Sequence, residues 1–130
     1  MVTQVQTNAE LKNNDCQKNG YNGIAIDAGA GPVYASDNIR IENYPSGIFC
    51  EAGMQGMLRQ NRCRDNPWAG LAVQGAHVML IAASNDFSGN GTWGIRLAGG
   101  ARPVLDVNIL EGNGRDAMYL EKVFYTPVSP

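Results

Sequence analysis

The chain has 130 residues, 44% of them hydrophobic, so it is long enough for one domain with a core and is not of disordered composition. Its net charge of -2 and pI near 5.2 argue against a general electrostatic nucleic-acid binder, which would carry a basic face. No apolar run reaches the length of a membrane span, and Met1 to Glu10 lacks the charged and apolar regions of a signal peptide.

The elements recur. Residues 1–12 read as a partial N-terminal coil, with Leu11 the first core position. The first full repeat runs through Asn14, Cys16 and Asn19 to a short strand, Gly23-Ile24-Ala25-Ile26. The second runs through Ala35, Asn38 and Asn43 to Gly47-Ile48-Phe49-Cys50. The third has Leu58, Asn61, Cys63 and Asn66, then Gly70-Leu71-Ala72-Val73. The fourth has Ala82, Asn85, Phe87 and Asn90, then Gly94-Ile95-Arg96-Leu97. The fifth has Leu105, Asn108, Leu110 and Asn113, then Ala117-Met118-Tyr119-Leu120. Beyond the repeats at 13–123, the segment 124–130 reads as a C-terminal cap or tail, with Val123, Phe124, Tyr125, Pro127 and Pro130 folding over the last coil.

Steps between the first-row Asn residues are 24, 23, 24 and 23, and the second row follows five residues later each time. The apolar-any-apolar segments have period two, so they are strands with one buried face, and no segment sustains a helical stripe. Strands this short cannot stand alone. Stacking equivalent coils pairs each strand with its copies at ~4.8 Å and brings the Asn residues into amide ladders. Asn is also read as the residue that accepts left-handed backbone geometry at the turns. A leucine-rich repeat would need a denser Leu pattern, and a propeller blade a longer period. One repeat departs: Arg40 falls in the slot of Cys16, Cys63, Phe87 and Leu110, with Ile39 and Ile41 on either side. A one-residue shift or bulge is predicted there.

Copies such as NDFSGNGTWGIRL and NILEGNGRDAMYL resemble the parallel β-helix repeat family, over about Asn13 to Val123. This is the repeat of pectate-lyase-like proteins, polygalacturonases, mannuronan C5-epimerases, periplasmic carbohydrate-binding and sugar-hydrolysis domains, and phage tailspikes. The resulting expectation is an all-β chain, a single-stranded right-handed parallel β-helix of about five coils with a 23–24-residue repeat, forming one domain over 1–130. The resemblance speaks to scaffold rather than activity. The Asp-Pro-His motif of the epimerases and the paired Asp residues of the polygalacturonases do not occur.

The outward strand positions form two columns. One reads Ala25, Phe49, Ala72, Arg96, Tyr119, the other Asp27, Glu51, Gln74, Ala98, Glu121. Rings stack on sugar faces while acids and amides bond hydroxyls, so Phe49, Tyr119, Gln74 and Glu121 are candidate ligand-binding residues. The resemblance to pectate lyases implies Arg96 as a group acting on an acidic sugar, and Asp27, Glu51 or Glu121 is the carboxylate that would act with it. Asp27 and Glu51 could share a hard cation such as Ca²⁺; no other cofactor or metal site is implied. A further column, Tyr34, Met57, Ile81 and Val104, should face outward as an apolar contact stripe. With open solenoid ends, the stripe predicts a homo-oligomer.

His77, the one histidine, lies in a turn and reads as a surface residue. Arg59, Arg62 and Arg64 form a small basic spot. Asn90-Gly91-Thr92 fits a glycosylation acceptor, but its Asn belongs to the ladder. Cys16 and Cys63 share an inward column two coils apart, ~9.6 Å at the strand spacing, beyond the ~7 Å Cα limit of a disulfide. With Cys50 they read as free, buried thiols, compatible with a cytoplasm. The functional expectation is a module, non-catalytic or weakly active, that binds a polysaccharide or an extended partner. The alternatives are a polysaccharide lyase, hydrolase or epimerase acting on an acidic glycan, and a structural assembly element.

Overall fold

Each repeat supplies short strands, because its apolar residues alternate with polar ones on either side of two Asn-anchored turns. The computed structural model describes residues 2–3, 9–27 and 32–121. In chain order the strands are β1 (Val2–Thr3), β2 (Ala9–Lys12), β3 (Asp15–Gln17), β4 (Ile24–Ile26), β5 (Val33–Ser36), β6 (Ile39–Ile41) and β7 (Ser46–Glu51). Then follow β8 (Gln55–Arg59), β9 (Arg62–Arg64), β10 (Ala69–Gln74), β11 (Met79–Ala83), β12 (Trp93–Ala98), β13 (Val104–Asp106) and β14 (Asp116–Leu120). No helix occurs among the described residues.

The strands stack into three walls with parallel pairing, β1-β4-β7-β10-β12-β14, β2-β5-β8-β11-β13 and β3-β6-β9. The third wall continues as isolated parallel bridges from Arg62 to Asp86 and from Asp86 to Ile109. Wall neighbours come from successive repeats, so the chain winds as a parallel β-solenoid tall enough for the roughly five coils expected. The predicted C-terminal cap, Val123 to Pro130, lies outside the described residues, as do most of the N-terminal residues before Ala9.

Register follows the repeat. Ile24 pairs with Ile48, Ile48 with Leu71, Leu71 with Ile95, and Ile95 with Met118. Ile24, Ile48, Leu71 and Ile95, with the column of Ile26, Cys50 and Val73, fill the interior. Leu11, Ala35, Leu58 and Ala82 close it from the second wall. Met118 and Leu120 are exposed on β14, the outermost strand of its wall among the described residues.

The two Asn rows form ladders. Asn38 Nδ2 donates to Asn61 Oδ1 at 2.9 Å, and Asn61 Nδ2 donates to Asn85 Oδ1 at 2.9 Å. The same amides donate to carbonyls of the preceding coil, Asn38 to Leu11, Asn61 to Ala35 and Asn85 to Leu58. The second row repeats the scheme, with Asn66 donating to Asn90 Oδ1 at 3.0 Å and to the Arg40 carbonyl at 3.1 Å. The Asn residues themselves do not carry the left-handed geometry expected of them. It falls one residue earlier, on Asn13, Asp37, Gln60, Ser84 and Val107 before the first row. Before the second row it falls on Lys18, Glu42, Asp65, Gly89 and Gly112. An Asn at the next position can then turn its amide into the stack, where both ends find partners.

The predicted bulge at the second repeat is absent. Cys16, Arg40 and Cys63 are paired in register, and Arg40 points inward at 0% exposure while Ile39 and Ile41 are only half-buried. The physical reason is the ladder. A one-residue slip would invert every side chain between Asn38 and Asn43 and break both amide stacks at that coil. Space for the long side chain comes from Gly23 of the first coil, where a Cβ would stand 2.5 Å from Arg40 Cδ. Gly47 does the same for Cys63 (2.9 Å) and Gly70 for Phe87 (3.0 Å), each measured to the Cβ of the later residue.

Candidate functional site: an aromatic and cationic patch on the large wall

The outward positions of the six-stranded wall stack as Ala25, Phe49, Ala72, Arg96 and Tyr119. Small residues leave room for larger neighbours to lie over them, and Ala72 is fully buried on this outer face. Trp93, at the start of β12, stacks on Tyr119 with centroids 4.7 Å apart and planes at 19°. Its ring also meets the edge of Trp68, at 5.3 Å and 69°. The Arg96 guanidinium sits 4.6 Å from the Trp68 centroid and 5.9 Å from that of Trp93. Arg96 Nη2 donates to Glu121 Oε2 at 2.8 Å. Two buried donors in this cluster, Arg96 Nε and Trp93 Nε1, have no acceptor. Beside it, Tyr44, Pro45, Pro67 and Trp68 line an open hollow of about 270 Å³. Tyr21, one coil nearer the N-terminus, is also strongly exposed, so rings continue along this edge.

The predicted site residues separate into two groups. Arg96, Tyr119 and Glu121 come together. Phe49 is half-buried two strands away, with Ala72 between it and Arg96. Gln74 is exposed and pairs in register with Glu51 on one side and Ala98 on the other. Arg96 is not brought to Asp27 or Glu51. It is two strands from the coil of Glu51 and three from that of Asp27, and its charge is engaged by Glu121 and the indoles. Asp27 and Glu51 follow the paired residues Ile26 and Cys50 and are both half-buried. No group of three or more His, Cys, Asp or Glu suited to a metal occurs among the described residues.

Trp68 and Trp93 were not legible as site residues. Trp68 stands in the turn two residues after Asn66, Trp93 opens β12 one position ahead of its Gly, and the cross-coil contacts of long side chains bring Trp68 to Arg96. A signal was present in the lone Arg of an otherwise uncharged column, in the coil that carries a Trp directly before its Gly.

Elsewhere, Glu10 pairs with Tyr34, Tyr34 with Met57, Met57 with Ile81 and Ile81 with Val104. Tyr34, Ile81 and Val104 are 50%, 40% and 59% exposed, so the column faces outward on the second wall. The basic spot is divided: Arg59 belongs to the second wall, while Arg62 and Arg64 flank Cys63 on the third, with Arg64 Nε 4.0 Å from Asp86. His77 is exposed in a turn at φ 59°. Asn90 is buried in the ladder, which closes it to a glycan. Cys50 and Cys63 are buried free thiols, and burial pushes the Cys50 thiol up to about 12 and Cys63 further the same way. Cys16 departs from expectation in being only partly buried, because β3 is the edge strand of the third wall.

A family model described as the right handed beta helix region matches residues 1–128. The chain belongs to that family, and the hand of its solenoid is the one expected. Comparison with curated proteins and with solved structures returns no match. Among the described residues no helix is long and apolar enough to cross a membrane.

Proposed function

We propose that this right-handed β-helix is a non-catalytic module that binds an extended carbohydrate along the outer edge of its large wall. The observation that supports the reading is the clustering of Trp68, Trp93, Tyr119 and Arg96 beside the hollow at Tyr44 and Pro67. Apolar ring faces suit the C–H faces of pyranose rings, and the coil spacing of ~4.8 Å repeats them at about the length of one sugar. Catalysis on an acidic glycan is less well supported, since Arg96 is paired with Glu121 and held away from Asp27 and Glu51. The test is affinity electrophoresis and calorimetry against neutral and acidic polysaccharides, with Trp68→Ala as the control. Binding that Trp68→Ala weakens by about tenfold or more supports the reading; binding to no polysaccharide, or undiminished binding by the variant, refutes it.

Self-association through the second wall is a second reading, supported by the outward column of exposed Tyr34, Ile81 and Val104 with half-buried Met57 between them. The adjoining outward column begins with Lys12 and ends with Asp106. A second copy laid antiparallel on this wall would set Lys12 of each against Asp106 of the other, around a shared apolar strip. Light scattering at micromolar concentration should give a dimer that Ile81→Lys dissociates; a monomeric wild type sinks this reading.

A further inference from the structure

Arg40 is the largest fully buried side chain, and it lies in the core of a solenoid rather than at a surface. Its Nη1 donates to the carbonyls of Asn14 at 3.0 Å and Ile39 at 2.6 Å. Nε and Nη2 have no partner. The described residues include all twelve Asp and Glu side chains, and none of their ion pairs involves Arg40. A buried guanidinium without an anion is costly, so its persistence calls for a negative partner. Its in-register neighbours on the adjoining coils are Cys16 and Cys63. Cys63 is fully buried, and burial holds it as the neutral thiol. Cys16 is the strand partner of Arg40 in the first coil. Both the bond to Asn14 and the packing on Gly23 show the Arg40 side chain leaning toward that coil. Cys16 also borders an open hollow of about 420 Å³, with Asn19, Tyr21 and Asn22 among its walls. Of the three cysteines it alone is partly exposed.

We propose that Cys16 is a thiol-modification site, oxidised by a peroxide to a sulfenate, with Arg40 as the positioning residue that faces its sulfur from inside the solenoid. The Cys16 sulfur attacks one peroxide oxygen. An S–O bond forms, the O–O bond breaks, and the departing hydroxide takes the thiol proton to become water; the sulfenic acid then gives its own proton to solvent to become the sulfenate. The sulfur loses two electrons and the peroxide gains two. Arg40 Nε and Nη2 donate charge-assisted hydrogen bonds first to the attacking sulfur and then to the sulfenate oxygen, filling the donors that are otherwise unused. This inference is independent of the carbohydrate reading, which concerns another wall.

The experiment exposes the full chain to hydrogen peroxide with dimedone as the sulfenate trap, and maps the adducts by mass spectrometry. Wild type, Arg40→Met and Arg40→Lys are compared, with far-UV circular dichroism reporting the fold. Dimedone should mark Cys16 and spare Cys50 and Cys63. Labelling of Cys16 should be slower by about tenfold or more in Arg40→Met, the value of one charge-assisted bond, and be largely restored in Arg40→Lys. Labelling of Cys16 that Arg40→Met leaves unchanged overturns the proposal. Should Arg40→Met fail to fold, wild type decides alone: Cys16 must react faster in the native protein than in urea, and equal or slower native labelling overturns the proposal.

Discussion

Replacing Asn61 by Ala tests whether the amide ladder holds the coils together. Asn61 is buried near the middle of the first row. Its Oδ1 accepts from the Asn38 backbone N–H at 3.2 Å and from Asn38 Nδ2 at 2.9 Å. Its Nδ2 donates to the Ala35 carbonyl and to Asn85 Oδ1, each at 2.9 Å. Truncation removes four bonds at about 1 kcal/mol each, so a loss of about 4 kcal/mol is expected, raised further by the buried Asn38 N–H left without an acceptor. Asn14, at the end of the row, is the contrast. Its side chain makes one described bond, to Asn38 Oδ1 at 3.0 Å, so Asn14→Ala should lose only about 1 kcal/mol. Urea unfolding followed by far-UV circular dichroism measures both. Because natural domains hold only about 5–15 kcal/mol, Asn61→Ala should move the midpoint far and Asn14→Ala little. Equal losses, or a loss below about 1.5 kcal/mol for Asn61→Ala, would show that strand pairing and core burial carry the stacking and that the ladder is incidental.

Three other outcomes follow from the same geometry. Val107 is β-branched, holds φ 50° and is 77% exposed, so Val107→Asn should relieve strain without emptying the core and raise stability by about 1 kcal/mol, read as a higher Tm. Gly23→Ala would put a Cβ 2.5 Å from Arg40 Cδ and 2.8 Å from the Gly47 carbonyl oxygen. A loss of about 1–3 kcal/mol is expected, smaller in an Arg40→Ala background, and additivity of the two changes would refute the contact. Burial raises the Cys50 thiol from 9.0 to about 12, so the folded chain keeps a proton that the unfolded chain releases. That stability is complete below about pH 9 and is lost as pH rises toward 12, by about 1.4 kcal/mol per unit. Cys50→Ala should therefore flatten the alkaline decline of the urea midpoint, and an unchanged slope would count against the buried thiol as its source.

Much of this molecule was legible from spacing. Two Asn rows five residues apart, recurring every 23 or 24 residues, determine the solenoid, its strand columns and the outward placement of Tyr34, Met57, Ile81 and Val104. A period of two leaves each strand residue only two directions, and equivalent positions must stack. What the repeat could not convey depends on side chains long enough to leave their own coil. Arg40 points inward because ladder register outweighs the preference of Ile39 and Ile41 for burial, and because Gly23 of another coil makes room. Trp68, Trp93, Arg96, Tyr119 and Glu121 meet only once three coils are superposed, since their contacts run between turns and strands that the column pattern treats separately. Local sequence determined which face each strand presents; the tertiary structure decided what those faces bring together, because reach across a coil depends on neighbours the repeat does not specify.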